Sequence, residues 1–94
     1  MKNTTVGVIG VGYLGRFHAL KYAAMEEVDL AGVVDVDYAR AQAVAEETGT
    51  KAYSDYREIM DSLDAVSISV PTTMHEEIAI PLLERGIGVL LEKP

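Results

Sequence analysis

The sequence predicts a doubly wound α/β domain built on a parallel sheet. Apolar, β-rich runs alternate with helix-period segments along the whole chain. Glycines stand where the helices should stop, and no repeat, low-complexity tract or linker breaks the alternation. Strands separated by helices of this length need right-handed crossovers, which set the strands parallel and cover both faces of the sheet. The expected strand order is 3-2-1-4-5.

Each element has its own warrant. "TTVGVIG", residues 4–10, reads as a buried strand, and Tyr13, Phe17, Leu20 and Ala24 then recur at helical spacing as the apolar face of a first helix. "VDLAGVVD", residues 28–35, is a second strand. Ala41, Val44, Ala45 and Thr48 mark the second helix, closed by Gly49. "TKAYS" is a short third strand, and Tyr56, Ile59, Met60 and Leu63 predict a short helix with Asp55 and Glu58 as a variant capping box. "DAVSISV", residues 64–70, is the fourth strand. Thr73 and Glu76 form another capping box, opening a helix that runs to about Arg85 and stops at Gly86. Pro81 lies inside that helix, where its missing N–H frees the Glu77 carbonyl and predicts a bend. "IGVLLE", residues 87–92, is strand five.

Bulk properties narrow the function classes. With 94 residues, the chain suits a single domain, 1–94, and 49% hydrophobic against 24% charged residues guarantees a core. Fifteen acidic and eight basic residues give a formal charge of −7, whose field repels nucleic acid and anionic lipid. No apolar run approaches the ~20 residues that span a bilayer, and the start "MKNTTVGVIG" does not read as a signal peptide, so a cytoplasmic protein is expected. Zero cysteines exclude disulfides, thiolate catalysis and cysteine-ligated metal. Glu26-Glu27, Glu46-Glu47 and Glu76-Glu77 read as solvated positions without metal-ligand spacing, and no metal is expected.

"GVGYLG", residues 10–15, is Gly-x-Gly-x-x-Gly between a buried strand and a helix, and Asp35 at the tip of strand two stands twenty residues beyond Gly15. Each part has a mechanical reason. Gly10 permits a tight turn, a bare Gly12 lets backbone approach a diphosphate, and Gly15 lets helix and sheet pack closely. The N–H groups of the first helical turn, around Tyr13 and Leu14, would meet the anion, so binding needs no positive net charge. Asp35 can accept hydrogen bonds from ribose hydroxyls, whereas a 2′-phosphate there would face like charge, which favours NAD over NADP. Arg40 softens that preference, because it could help a phosphate if Asp35 turned away. A purely structural glycine turn is the bland alternative, and another adenine nucleotide is a further one.

The glycine fingerprint, the acid after strand two, "DAVSISVPTTMHEEIAIPLLERG" and the closing "VLLEKP" together resemble the N-terminal domain of the Gfo/Idh/MocA oxidoreductases, the glucose–fructose oxidoreductase and inositol dehydrogenase family. The resemblance covers essentially the whole chain and implies a Rossmann fold. Its most specific part is Glu92-Lys93-Pro94, which in that family closes the fifth strand. It implies that Lys93 sits near the nicotinamide and hydrogen-bonds the substrate oxygen as hydride moves, and that Glu92 helps orient the cofactor. Val70, Pro71 and Thr72 would converge on the same crevice at the carboxyl ends of the strands. His75 stands either near the nicotinamide half or on the surface, and both readings stay open. His18 reads as structural, and Met60, Met74, Tyr22, Tyr38, Tyr53 and Tyr56 as packing or helix surface.

Family members continue past this tripeptide into a substrate domain, which supplies the substrate pocket and much of the oligomer interface. The chain is therefore expected to be the cofactor part of a longer, homo-oligomeric NAD-dependent oxidoreductase acting on a sugar, polyol or related hydroxy compound, inactive by itself. The alternative is a stand-alone module that binds or senses a dinucleotide without chemistry.

Overall fold

A computed structural model of the chain describes residues 3–70 and 74–91, leaving aside the side chains of residues 75, 76 and 91. Five parallel strands form one sheet, β1 (Thr4–Ile9), β2 (Val28–Val34), β3 (Ala52–Tyr53), β4 (Ala65–Ile68) and β5 (Gly88–Leu91), in the order β3-β2-β1-β4-β5. This is the expected topology. The order reverses at β1, whose neighbours are β2 on one side and β4 on the other, so the crevice beyond the carboxyl ends of these strands is the place where open α/β sheets take ligands.

The period of two along the strands sorts the core onto two faces. Val8 and Val33 point to one face, where Val11 of the turn after β1, Ala19 of helix α1 (Tyr13–Ala24) and Ala41, Val44 and Ala45 of helix α2 (Tyr38–Thr48) close over them. Ile9, Val34, Val66 and Ile68 point to the other, packed by Ile59, Met60, Leu63 and by Ile78 and Leu82 of helix α3 (His75–Glu84). Both faces are covered.

Local sequence explains the ends of the helices. Asp37 caps α2 by accepting from the Arg40 amide, and Gly49 closes it at φ 74°. Gly86, at φ 78°, ends α3 in a Schellman arrangement: its own amide donates to the Leu83 carbonyl and the Ile87 amide donates to that of Leu82. The helix continues through Pro81.

Two expectations need correction. On α1 the period is right and the phase is wrong: Tyr13, Phe17 and Ala24 face outward, with Tyr13 90% and Phe17 53% exposed, while Gly15 and Ala19 are the buried residues. The helix lies too close to the sheet for large side chains, so small residues take the inner face. The segment after β3 is not an α-helix but two short 3₁₀ turns, Tyr56–Glu58 and Met60–Ser62. Its apolar residues still do what the pattern required, because Ile59, Met60 and Leu63 are buried. Asp55 opens the first turn by accepting from the Arg57 amide. The Thr73–Glu76 capping box lies outside the described residues.

Candidate functional site

The site is built at the carboxyl end of β1. Gly10 takes φ +87°, a conformation side chains rarely adopt, and a Cβ there would stand 2.5 Å from the Ser69 carbonyl oxygen. Gly15 is held more tightly still. A Cβ on it would fall 1.7 Å from the Gly10 carbonyl oxygen, so the turn and the first helical turn are pressed together with no room for a side chain. Gly12 differs from both. Its Cβ would meet nothing nearer than an Arg40 guanidinium nitrogen at 3.8 Å, so the protein itself leaves this position open.

Gly12 is the N-cap of α1 and brings no side chain to accept from the first-turn amides, nor does that turn hold an acidic residue. By contrast, Asp37 fills the equivalent place on α2. An uncapped helix start with bared amides carries partial positive charge and suits an anion. Tyr13 and Leu14 stand in that turn and project outward.

Asp35 follows β2 and is 8% exposed. Burying a carboxylate costs free energy unless its oxygens are hydrogen-bonded. Here they are: the Val11 amide donates to Oδ2 at 3.0 Å and the Asp37 amide to Oδ1 at 2.9 Å. The first of these bonds ties the acid directly to the glycine turn, so Asp35 does not turn away from the site. Arg40 reaches over from α2, with guanidinium nitrogens 3.6 Å from Asp35 Oδ2 and 3.9 Å from Asp37 Oδ2.

These groups border a cleft of ≈ 530 Å³ that runs from Gly10 and Gly12 past Asp35 and Arg40 to the turn at Asp55 and Arg57. Val36, Val70, Met74 and Ile78 give it apolar walls. The Arg57 guanidinium and amide both donate to Asp55, which holds that carboxyl down at about 2. Sequence reasoning passed over this rim pair and over Ser69. The Ser69 hydroxyl lies buried beside the glycine turn without a hydrogen-bond partner among the described residues. An Asp-x-Arg step straight after the third strand was the available signal for the rim pair.

Of the residues expected at the site, Gly10, Gly12, Asp35 and Val70 line this one cleft. Gly15 lies directly beneath it. His75 opens α3, though its side chain is outside the described set. Pro71, Thr72, Glu92 and Lys93 also lie outside the described residues. His18 faces the sheet, hydrogen-bonded through Nδ1 to Ser67 Oγ at 2.9 Å, as a structural role requires. Among the described residues, no cluster of His, Asp or Glu could hold a metal ion, and no helix is long and apolar enough to cross a membrane.

A family profile described as an oxidoreductase family with an NAD-binding Rossmann fold matches residues 4–94. UDP-N-acetylglucosamine 3-dehydrogenase of Acidithiobacillus ferrooxidans is 45% identical over 94 residues, and its crystal structure superposes on the whole chain with a TM-score of 0.90. Inositol 2-dehydrogenase of Corynebacterium glutamicum is 35% identical over 97 residues, covering 99% of the chain. The structure of GenD2 from gentamicin A biosynthesis, solved in complex with NAD, has a TM-score of 0.93 at 32% identity and covers 100% of the chain. The chain spans only 28–29% of the length of these proteins.

Proposed function

Since the chain belongs to the Gfo/Idh/MocA oxidoreductase family, with its NAD-binding Rossmann fold, we propose that residues 1–94 are the cofactor domain of a longer cytoplasmic, homo-oligomeric dehydrogenase acting on a sugar, polyol or related hydroxy compound. One observation carries the reading: α1 opens on Gly12 with no side chain capping its first amides, and a hydrogen-bonded carboxylate is fixed beside it.

The residues divide the work by position. Gly10, Gly12 and Gly15 keep the turn clear, and the amides around Tyr13 and Leu14 bind the diphosphate. Asp35, with lone pairs left beyond its two amide bonds, accepts from the adenosine ribose hydroxyls. Its negative charge favours NAD over NADP. NAD bound here supplies the hydride acceptor for oxidation of a hydroxyl group. Val70, Pro71, Thr72, His75 and Glu92 border the nicotinamide half. Lys93 holds a proton at Nζ and exchanges it with the substrate oxygen as hydride moves. The roles of Glu92 and Lys93 rest on the family's Glu-Lys-Pro tripeptide, and those of Val70, Pro71, Thr72 and His75 on the segment that follows the fourth strand.

Calorimetric titration of the purified chain with NAD, NADP and ATP tests the cofactor part. NAD should bind most tightly, and equal or absent binding of all three would contradict it. In the longer protein, Lys93→Ala should cut turnover and leave NAD affinity nearly intact. Undiminished turnover would remove Lys93 from the chemistry.

A further inference from the structure

Helix α1 carries two apolar faces, and the sheet covers only one of them. Its inner face is made of Gly15 and Ala19. Its outer face holds Tyr13, Phe17, Leu20 and Ala24, of which Leu20 is half-buried and the other three are exposed. Apolar residues at helical spacing form a stripe of the kind a helix buries, and left in the open such a stripe marks an interaction surface.

The spacing identifies the partner. Steps of four, three and four residues read the same from either end of the helix. Two copies of α1 laid antiparallel about a twofold axis therefore match their own stripe: Tyr13 lies opposite Ala24 of the second copy and Phe17 opposite Leu20, a large side chain against a smaller one at each step. Charge fits the same arrangement. Arg16 and Lys21 face one another across that axis, but Arg16 is already paired with Glu47 of α2, its Nε 2.9 Å from Oε1. Glu47 stays 38% exposed beside it, so Lys21 of the second copy meets a carboxylate. By contrast, Ile80 and Leu83 of α3 are exposed next to Glu77 and Glu84, and a pair formed there would set acid against acid.

We propose that the outer face of α1 is a twofold interface between two copies of this chain, with Phe17 near its centre. The proposal goes beyond the cofactor reading and takes no step from it. One helix from each side buries an area at the low end of specific interfaces, so a dissociation constant of about 10–500 μM is expected.

Sedimentation velocity on the purified chain from about 5 μM to about 1 mM tests this, with circular dichroism to verify the fold of each variant. The wild type should pass from monomer to dimer over that range. Phe17→Ser should weaken the dimer about tenfold or more. Lys21→Glu should weaken it about fivefold, and adding Glu47→Lys should restore it, because both members of the pair across the axis are then reversed. Leu83→Ser should change nothing. A wild type that stays monomeric throughout, or that grows without stopping at two, would overturn the proposal. So would a dimer indifferent to Phe17→Ser, a dimer lost with Leu83→Ser, or a Lys21→Glu defect that Glu47→Lys leaves unrepaired. No cofactor enters the measurement, so each of these results leaves the dinucleotide reading standing.

Discussion

Three glycines of one motif do three different physical jobs at the residue scale, and substitution separates them. Gly15→Ala drives a methyl group into the Gly10 carbonyl oxygen, 1.7 Å from where the new Cβ would sit. Backbone cannot yield that far without moving α1, so urea denaturation should show a loss on the order of 3 kcal/mol or more. Asp35→Ala should also cost stability, because the Val11 and Asp37 amides lose their buried acceptor. Each orphaned donor is worth about 1–3 kcal/mol, and a variant as stable as the wild type would mean that Asp35 does not hold the turn. The Gly-x-Gly-x-x-Gly spacing and the acid twenty residues on were legible in the sequence. That Asp35 is bonded to the turn itself was not, because the partner is a backbone amide whose direction depends on the fold.

Among the elements, strands and strand order followed from alternation and crossover handedness, and Gly49 and Gly86 marked two helix ends by the conformation they alone adopt easily. Helix α1 was misread in phase because its buried side is made of small residues, Gly15 and Ala19, and a hydrophobic pattern gives those little weight. Phe17→Ser tests the corrected face. With Phe17 outside the core, the change should cost less than about 1 kcal/mol, whereas Leu82→Ala, at a fully buried position of α3, should cost about 2–5 kcal/mol. In place of the predicted helix, the eleven residues between β3 and β4 form two 3₁₀ turns, and Asp55 opens the first with its Arg57 bond. The Asp55 carboxyl is lowered from 3.8 to about 2, so its stabilising effect is present above pH 4 and is lost as the pH falls toward 2. Asp55→Asn should therefore unfold with a shallower dependence on acid across that window than the wild type, as read from thermal melts at each pH. Identical acid limbs would show that the pair contributes nothing.

For the molecule as a whole, a parallel sheet whose order reverses at β1 gathers the ends of β1, β2 and β4 around one cleft, and this places the glycine turn, Asp35 and Val70 together although they lie far apart in sequence. A net charge of −7 does not oppose an anionic ligand there, because the attraction comes from a few oriented amides at short range. Dinucleotide binding at this cleft depends on those amides being the diphosphate site, and Gly12 offers the cleanest probe, since the protein leaves its side-chain position open. The decisive measurement is calorimetric titration of NAD into the wild type and Gly12→Val, with melting curves for both. Saturable one-to-one binding by the wild type, abolished in a variant whose melting temperature lies within about 5 °C, is the predicted result. Equal NAD binding by the two proteins would contradict it.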